Sequence, residues 1–373
     1  MKIPIFKLQY SKKEIKYFLD YSTDILKNGF ISESKYVNIF EKNFSKFINV
    51  NYSIFVGSGT DALEIAFKAT NKNKKIILQS NNFFAAHVAL ENSKKEAIYC
   101  DLELETLGID PNHLEYLLKK NRNKVDAICL VHTGGIISKY INEIIYLSKK
   151  FNVFLIEDAA HAIGSHKDYK FAGSFGDIGC FSFFPTKVMT TGEGGMVSFN
   201  NKKFLDLVKS LKNFGRSKNN SWVRIRNGSN CKVTEFQALL GILELKRIKE
   251  RIKRRNEIAK KYFEIEQFSD FRVFKPFNSF CSYYKIFFKY DGRKMSSLEK
   301  FLKKKNISLT GKVWPYPLHK QFLYKTKQNL KLTNTDYFVK NHFCPPIYPE
   351  LNNLEVDYLI KNLINFNRPW INT

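Results

Sequence analysis

The sequence predicts an α/β protein: a large domain with a mainly parallel sheet covered by helices on both faces, and a smaller C-terminal α+β domain. Short apolar segments alternate with helical patterns as far as Phe271, and the composition changes beyond that residue. A chain of 373 residues is long enough for two domains. We therefore assign residues 1–250, including an N-terminal arm, to the large domain and residues 251–373 to the smaller one.

The large domain begins with an extended arm over residues 3–10, followed by a helix that Ser11 caps ahead of Glu14. The next helix carries apolar side chains at helical spacing: Val37, Phe40, Phe44 and Phe47. Strands are predicted where apolar segments are bounded by polar or glycine residues, at 52–56, 76–79, 97–100, 125–131, 153–156 and 178–184. Further helices are predicted at 64–70, 111–119 and 140–150, and another reaches residue 213.

The remainder of the chain has less regular patterns. A polar loop extends to residue 230 and leads into a long helix that ends near Phe268. The smaller domain is then predicted to contain a strand at 282–290, a helix at 296–305, an aromatic loop at 313–319 and a terminal helix from Leu354. Such mixed elements are typical of an α+β unit.

The net charge of +26 is typical of a protein that binds nucleic acid, an anionic surface or a phosphorylated substrate. The lysines are spread along the chain, and the densest run, at residues 246–261, fits the solvated face of a long helix. Because no nucleic-acid-binding module is recognised, we predict no nucleic-acid partner. A small molecule that carries a diphosphate would benefit from the same positive field.

The sequence also argues against a membrane, disulfide or metal protein. It has no apolar run of roughly 18 residues, and its N-terminal residues lack the apolar core of a signal peptide. We therefore predict a cytoplasmic protein without a membrane partner. The six cysteines are scattered without a Cys-x-x-Cys pair, which predicts buried reduced thiols and neither a zinc site nor a disulfide framework.

Three chemically active side chains follow two strand segments near the middle of the chain. Asp158 follows the segment at 153–156, and Ser182 and Lys187 lie at the end of the segment at 178–184. Ligands of open α/β sheets bind beyond the carboxyl ends of the strands, so these residues are expected to share one pocket. Each residue alone is more often an ordinary strand-end acid or surface lysine. The combination is what indicates a site.

The trio suits the cofactor pyridoxal phosphate. A lysine amine forms a Schiff base with its aldehyde, an acid keeps its pyridine nitrogen protonated, and a hydroxyl helps to hold its phosphate. Upstream, Gly57-Ser58-Gly59-Thr60 stands between a strand and a helix. This pattern fits an anion site at unpaired N–H groups, and it also fits an ordinary tight turn. Phe83 follows another strand, where an aromatic either stacks on a planar cofactor ring or packs in the core.

Together these motifs resemble the DegT/StrS family of pyridoxal-phosphate sugar aminotransferases over nearly the whole chain. The matching segments, in order, are Ile3-Pro4, Ser58-Gly59-Thr60-Asp61-Ala62-Leu63, Glu157-Asp158-Ala159-Ala160-His161, Gly176-Asp177, Phe181-Ser182-Phe183-Phe184-Pro185-Thr186-Lys187, Gly192-Glu193-Gly194-Gly195, Asn230-x-Lys232-x-x-Glu235-x-Gln237-Ala238 and Pro346-Ile347-Tyr348-Pro349. Several motifs in the right order are more specific than any one of them. The resemblance implies the fold type I aminotransferase architecture, with a mainly parallel seven-stranded sheet in the cofactor-binding large domain.

Carried over position by position, the resemblance implies a role for each matching residue. Lys187 is implied to bind the cofactor aldehyde and to act as general base and then acid, and Asp158 to pair with the pyridine nitrogen. The other implied cofactor contacts are Gly59, Thr60 and Ser182 at the phosphate, Phe83 on the ring face, His161 beside the phenolic oxygen and Asn230 from a partner subunit. Such an arrangement implies a homodimer with shared active sites.

The implied reaction moves an amino group from L-glutamate to a nucleotide-linked keto sugar, for a surface glycan such as lipopolysaccharide. Residues 158–161 and 192–195 are more similar to members that aminate C-4 of a 4-keto-6-deoxyhexose than to members that aminate C-3. Two alternatives stay open: a small phosphorylated ketone or keto-cyclitol as acceptor, and a non-catalytic basic binding protein on the same fold. Lys187 argues against the dehydratase relatives, which have histidine at this position.

Three segments depart from the family pattern. Lys232 stands where many relatives have arginine, and an ammonium cannot reproduce a bidentate guanidinium, so its contacts to substrate phosphate or donor carboxylate are expected to differ. Glu33-Ser34 replaces the usual Gly-Pro after the first helix. The aromatic loop at 313–319 matches only loosely, and its His319 is either a sugar contact or an ordinary loop histidine.

Overall fold

A computed structural model of the protein describes residues 1–70, 75–290, 295–309, 311–322 and 330–367. The strands are β1 (Tyr52–Val56), β2 (Lys75–Gln79), β3 (Glu96–Cys100), β4 (Val125–Val131), β5 (Phe154–Asp158), β6 (His166–Lys167), β7 (Lys170–Phe171), β8 (Ile178–Ser182), β9 (Gly195–Phe199), β10 (Arg272–Val273), β11 (Phe288–Lys289) and β12 (His342–Phe343).

The helices separate most of these strands. They are α1 (Lys12–Asn28), α2 (Lys35–Ile48), α3 (Gly59–Ala69), α4 (Ala85–Asn92), α5 (Pro111–Lys120), α6 (Ile141–Lys150), α7 (Lys203–Lys212), α8 (Glu235–Phe263), α9 (Met295–Lys304), α10 (Thr333–Lys340) and α11 (Asn353–Asn367). Ser11 caps α1 through the predicted capping box with Glu14. In the described part of the chain, no helix is long and apolar enough to cross a membrane.

The central sheet has seven strands in the order β1-β9-β8-β5-β4-β2-β3. The pairs β2–β3, β2–β4, β4–β5 and β5–β8 are parallel, and β9 is antiparallel to both of its neighbours. The register pairs Val131 with Asp158, and Asp158 with Cys180. The carboxyl ends of β4, β5 and β8 therefore meet at one edge of the sheet. This arrangement confirms the predicted mainly parallel α/β sheet.

Both faces of the sheet are buried, as the apolar strand patterns predicted. On β4, Ile128 and Leu130 belong to a core shared with α1, α2, α5, α6 and α8, whereas Ala127 and Cys129 belong to a core shared with α3, α4 and α7. Successive side chains of a strand alternate between faces, so a strand buried on both sides is apolar over most of its length. The six cysteines are all buried as thiols.

Helix α8 takes part in two hydrophobic cores. Its Ile248 and Ile252 pack in a core of the central sheet, and its Ile258 and Tyr262 pack in the core of the C-terminal elements. The boundary that we propose at residues 250 and 251 thus falls inside one continuous helix. The buried guanidinium of Arg255 strengthens the junction, because it donates hydrogen bonds to two backbone carbonyls of the C-terminal segments.

The strand predicted at residues 282–290 is wrong over most of its length. Only Phe288–Lys289 pairs as a strand, against β10 and β12. Tyr283 has a φ of 49°, in the left-handed region that extended backbone cannot include. The apolar pattern arises because the segment is packed between the two domains, where both sides are buried without strand pairing.

Glu235 of the family-like motif supports the fold rather than the site. Its side chain is buried, and its carboxylate accepts the backbone N–H groups of Ser34 (2.8 Å), Tyr36 (2.6 Å) and Val37 (3.2 Å) at the start of α2. Ser34 itself makes no side-chain cap. A carboxylate here satisfies donors that the helix leaves unpaired and complements the positive end of its dipole.

We expect Glu235→Ala to lower the free energy of unfolding by roughly 2–4 kcal/mol, because several buried N–H groups lose their acceptor. Glu235→Gln keeps one acceptor oxygen without the charge, so a loss of about half that size is expected. Chemical denaturation of the cofactor-free protein measures both losses.

Glu250→Ala is the matched control, because Glu250 lies on the same helix and is exposed. Its effect should stay within about 0.5 kcal/mol. An unfolding curve for Glu235→Ala that coincides with the control curve would disprove the capping role.

Candidate active site

A cavity of about 470 Å³ lies at the carboxyl edge of the parallel strands, between the large domain and the C-terminal elements. Seven residues predicted from the sequence line it together: Gly59, Thr60, Phe83, Asp158, His161, Ser182 and Lys187. The C-terminal elements contribute Tyr284, Lys285 and Trp314 to the same lining. The fold therefore assembles one site from segments that are more than one hundred residues apart in the chain.

Asp158 ends β5, with its side chain almost fully buried. One carboxylate oxygen accepts the N–H of Ala160 at 3.2 Å. Burial raises the pKa of Asp158, while the Ala160 hydrogen bond and the charge of Lys187 act in the opposite direction. A buried carboxylate in this position is best satisfied by a proton-bearing or cationic partner.

Lys187 lies in the turn after β8, where its backbone N–H donates to the carbonyl of Phe184. Its Nζ stands 4.6 Å from the centre of the Tyr284 ring. Burial lowers the pKa of Lys187 to about 8; Asp158 raises it and Lys285 lowers it further. An amine with this pKa is partly neutral near physiological pH, as a nucleophile or a general base must be.

The acid beside Asp158 has a structural role. Glu157 is completely buried on the opposite side of β5, where it contacts Nε2 of His132 at 2.7 Å. It also accepts the N–H groups of Gly173 at 2.8 Å and Gly176 at 2.6 Å. Glu157 therefore fixes the loop that leads to β8, and so the position of the residues at the end of that strand.

The glycine turn before α3 lies beside Ser182, as the predicted anion site requires. Ser58 caps α3 by accepting the N–H of Asp61 at 3.0 Å, and the first N–H groups of the helix, at Gly59 and Thr60, have no partner within it. A Cβ on Gly59 would lie only 2.7 Å from the Cβ of Ser182. Glycine is thus required for the helix end to approach the Ser182 side chain this closely, an arrangement that can hold one anion.

His161 is buried between aromatic rings. Its ring is stacked on Trp314 (5.2 Å between centres, 12° between planes) and lies 4.2 Å from Tyr284. Nδ1 accepts the N–H of Gly134 at 3.3 Å, so the proton of the neutral ring is on Nε2. Burial, then Lys187 and Lys285, lower the pKa of His161 well below its usual value. The residue is therefore a neutral hydrogen-bond donor through Nε2.

Phe83 is not a core residue. Its side chain is 46% exposed, it lines the cavity, and its ring lies 4.0 Å from that of Phe84. Of the two interpretations of this aromatic, core packing is excluded by its exposure. An open ring at the cavity wall suits stacking on a planar cofactor, which stays a prediction.

Asn230 and Lys232 do not line the cavity of their own chain. Asn230 is exposed, and Nζ of Lys232 contacts its amide oxygen and lies 4.2 Å from the centre of the Phe214 ring. The cavity of their own chain therefore gives no support for a ligand contact by either residue. Their predicted roles stay predictions.

His319 is turned away from the cavity. Its side chain is buried, with Nδ1 2.7 Å from the hydroxyl of Ser80 and Nε2 3.4 Å from Asp336. This geometry gives no support for a contact between His319 and a sugar. It favours the other interpretation, an ordinary histidine of the loop. The aromatic loop instead presents Trp314 to the cavity.

Sequence reasoning missed Tyr284, Lys285 and Trp314. Tyr284 and Lys285 were assigned to a strand, and their segment contains no motif that distinguishes a cavity wall from a buried strand. Trp314 belongs to the aromatic loop at 313–319. A tryptophan followed by a proline in that loop is the feature of the sequence that could have indicated it. Their position depends on how the two domains pack.

The donor set fits pyridoxal phosphate. A helix end with the Ser182 hydroxyl can hold a phosphate, buried Asp158 can hold a protonated pyridine nitrogen, and Nε2–H of His161 can donate to a phenolic oxygen. Lys187 supplies the amine that an aldehyde requires. Among the residues that the structure describes, no cluster of His, Cys, Asp or Glu could hold a metal ion.

Comparison with known proteins agrees with this fit. The model of the DegT/DnrJ/EryC1/StrS aminotransferase family matches residues 12–364. The UDP-4-amino-4,6-dideoxy-N-acetyl-beta-L-altrosamine transaminase of Campylobacter jejuni subsp. jejuni serotype O:23/36 (strain 81-176) is 32% identical over 346 residues, which are 90% of this chain and 90% of that protein. GDP-perosamine synthase of Escherichia coli O157:H7 is 32% identical over 263 residues, which are 70% of each chain.

A solved structure extends the similarity to the whole fold. NtdA from Bacillus subtilis, with bound cofactor PMP, has a TM-score of 0.89 at 23% identity and covers 98% of this chain and 85% of that one. At this identity the likeness concerns the fold alone.

In the cofactor-free protein, we expect the amine of Lys187 to react with an acylating reagent with a midpoint near pH 8, because burial lowers its pKa. Asp158→Asn should move the midpoint to lower pH, since the carboxylate favours the protonated amine. Labelling as a function of pH, followed by peptide mass spectrometry, measures this midpoint.

Glu193→Gln is a control for Asp158→Asn, because Glu193 lines the same cavity but is not among the groups that shift the pKa of Lys187. Its midpoint should equal that of the unmodified protein. A midpoint near pH 10 in the unmodified protein would contradict the burial of Lys187.

Proposed function

The chain belongs to the DegT/DnrJ/EryC1/StrS aminotransferase family, and from this premise we propose that it transfers an amino group from L-glutamate to C-4 of a nucleotide-linked 4-keto-6-deoxyhexose. It is a pyridoxal-phosphate-dependent sugar aminotransferase. The observation that carries the proposal is the convergence of Lys187, buried Asp158 and the amino end of α3 on one cavity.

Pyridoxal phosphate, when bound, supplies an aldehyde that accepts the amino group and a ring that takes up the electron pair released at the substrate carbon. Asp158 holds the proton of the pyridine nitrogen, and its burial away from competing water strengthens that pairing. Gly59, Thr60 and Ser182 hold the phosphate at the end of α3.

Lys187 moves the proton in each half-reaction. Its Nζ, partly neutral because of burial, takes the proton from the donor's α-carbon as a general base and can return it as an acid. His161 donates Nε2–H at the neighbouring phenolic oxygen, and the Gly134 N–H on Nδ1 keeps that tautomer in place. Phe83 covers one side of the cavity as an open aromatic surface.

The choice of acceptor has two kinds of support. The relatives reported above are a UDP-linked and a GDP-linked enzyme by name, and the first name specifies a 4-amino-4,6-dideoxy sugar. The net charge of +26 favours an anionic diphosphate substrate by long-range attraction. We further propose that the amino sugar is made in the cytoplasm for a surface glycan such as lipopolysaccharide.

We also propose that the enzyme is a homodimer with shared active sites. Asn230 and Lys232 lie outside their own cavity, so they are available to the cavity of a partner. Large apolar side chains are exposed on the same loop and near α2: Trp222 (93%), Ile225 (53%), Phe30 (71%) and Ile31 (53%). An exposed apolar set of this size is typical of a surface that another subunit covers.

The substrate is tested through the visible absorption of the bound cofactor. We expect L-glutamate to bleach the band of the loaded enzyme, and a nucleotide-linked 4-keto-6-deoxyhexose to restore it. Lys187→Ala should lower the rate of both half-reactions by roughly 10²-fold or more, because proton transfer loses its base.

Dihydroxyacetone phosphate is the control acceptor. Restoration of the band by this ketone, and by no nucleotide sugar, would replace the sugar proposal with the small-ketone alternative. A protein that takes up no pyridoxal phosphate would instead support a non-catalytic binding protein.

Shared active sites are tested by mixing two defective variants. Lys187→Ala and Asn230→Ala homodimers should both be impaired, whereas a heterodimer has one site with both Lys187 and Asn230 intact. Random pairing into two-fold dimers should therefore restore roughly a quarter of wild-type activity per protomer. A mixture no more active than its separate components would contradict a contribution of Asn230 to the partner's site.

A further inference from the structure

Lys285 is a cation of the catalytic cavity that the chemistry described above does not use. It follows Tyr284 in the segment between Tyr283 and β11, and it lines the cavity on the side of the C-terminal elements. Its backbone N–H donates to the carbonyl of Gly134, the residue whose own N–H orients His161. The segment is thus attached to the loop that follows β4.

The ammonium of Lys285 has no carboxylate beside it among the residues that the structure describes. Within residues 1–70, 75–290, 295–309, 311–322 and 330–367, its Nζ makes neither an ion pair nor a hydrogen bond, and it stands 5.2 Å from the centre of the Tyr284 ring. Lys312, another lysine of the cavity wall, is engaged differently and donates to the carbonyl of Lys340 at 2.7 Å. Buried charges are normally paired, so the partly buried and unpaired Lys285 indicates a place for an anionic group of a ligand.

Lys285 and Lys187 share one aromatic ring. Nζ of Lys187 is 4.6 Å from the centre of the Tyr284 ring and Nζ of Lys285 is 5.2 Å from it, so the two nitrogens are no farther apart than the sum of these distances. An anion held by Lys285 therefore lies on the same side of the cavity, around the Tyr284 ring, as the amine of Lys187. The α-carboxylate of an amino donor is bonded directly to that carbon.

We propose that Lys285 binds the α-carboxylate of the amino donor inside the catalytic cavity and thereby positions the donor's α-carbon at Nζ of Lys187. This inference rests on the proposed amino-donor reaction. A diphosphate is the rival anion, but in a nucleotide-linked hexose it is attached at C-1, across the ring from C-4. The proximity of Lys285 to Lys187 favours the carboxylate.

Binding of the carboxylate also changes the electrostatics of the base. After burial, the positive charge of Lys285 is one of the factors that lower the pKa of Lys187, while Asp158 raises it. Burial lowers the pKa of Lys285 itself. Cys344 acts to raise this pKa, and the charge of Arg255 acts to lower it. A carboxylate that neutralises Lys285 raises the pKa of Lys187 and so strengthens it as a base when the donor is in place.

The first test uses Lys285→Met, which keeps the length of the side chain and removes its charge. We expect the KM for L-glutamate in the donor half-reaction to rise roughly 10- to 100-fold, as the loss of a charge-assisted hydrogen bond predicts. The acceptor half-reaction should change less than about threefold. Lys285→Arg should recover most of the glutamate affinity, because it restores the cation. Lys253→Met, at an exposed lysine, is the control for loss of a positive charge.

Truncated donors identify the carboxylate that Lys285 binds. 4-Aminobutanoate is glutamate without the α-carboxylate, and 2-aminobutanoate lacks the side-chain carboxylate. Lys285→Met should reduce the preference for glutamate over 4-aminobutanoate roughly 10- to 100-fold and leave the preference over 2-aminobutanoate unchanged. The opposite pattern would overturn the assignment to the α-carboxylate.

Two readouts do not depend on a keto sugar. Glutarate, which has no amino group to react, should bind the cofactor-loaded Lys285→Met variant more weakly by calorimetry. The labelling midpoint of Lys187 in the cofactor-free variant should move to higher pH, since a nearby positive charge has been removed. The second shift tests the proximity of the two lysines, on which the inference depends, and the glutarate measurement tests binding of the carboxylate itself.

The outcomes separate this inference from the proposed function. Unchanged glutarate and glutamate affinities in Lys285→Met would overturn the inference even if a nucleotide sugar is aminated. A selective loss in the acceptor half-reaction would also overturn it, in favour of the diphosphate. If no nucleotide sugar is aminated but Lys285→Met still weakens glutamate binding, the proposed acceptor is overturned and the role of Lys285 is supported.

Discussion

The parallel register of β4, β5 and β8 is the constraint on which the site depends. Because the strands point in the same direction and are paired in this register, the residues that end them emerge at one edge of the sheet. Asp158 and the segment from Ser182 to Lys187 are positioned by this edge, and the amino end of α3 is brought to it by the turn after β1. The buried carboxylate of Glu157 accepts hydrogen bonds from the backbone N–H groups of Gly173 and Gly176 and thereby fixes the loop before β8.

Burial at that edge gives the residues their chemical properties. The same desolvation raises the pKa of Asp158 and lowers those of Lys187, His161 and Lys285, in each case favouring the uncharged form. Lys187 is thereby available as a base near neutral pH, and His161 stays a neutral donor. The cavity retains a surplus of cationic groups over carboxylates on its C-terminal side, which suits a site for anionic substrates.

The motifs that resemble the family contain residues that face the cavity and residues that stabilise the fold. Glu33, where the chain departs from the family pattern, belongs to the second kind. Asp158 and Lys187 face the cavity, whereas Glu235 caps α2 and Glu157 fixes a loop. Glu33 replaces the usual glycine and has a φ of 53°, which is unfavourable for a side chain. Its carboxylate compensates locally, because it accepts the N–H of Val233 at 2.8 Å and pairs with the buried Lys212 at 2.7 Å.

The sequence by itself determined the α/β class, the buried strands, the cavity residues from Gly59 to Lys187 and the family, because these depend on local periodicity and on motifs of adjacent residues. Only the tertiary structure decided the rest. The segment around Tyr284 has the apolar pattern of a strand, yet domain packing and a left-handed Tyr283 make it a cavity wall. His319 and Trp314 occur in one loop, and packing buries the first against Ser80 while it places the second on His161. Such choices depend on contacts between distant segments, which no local pattern encodes.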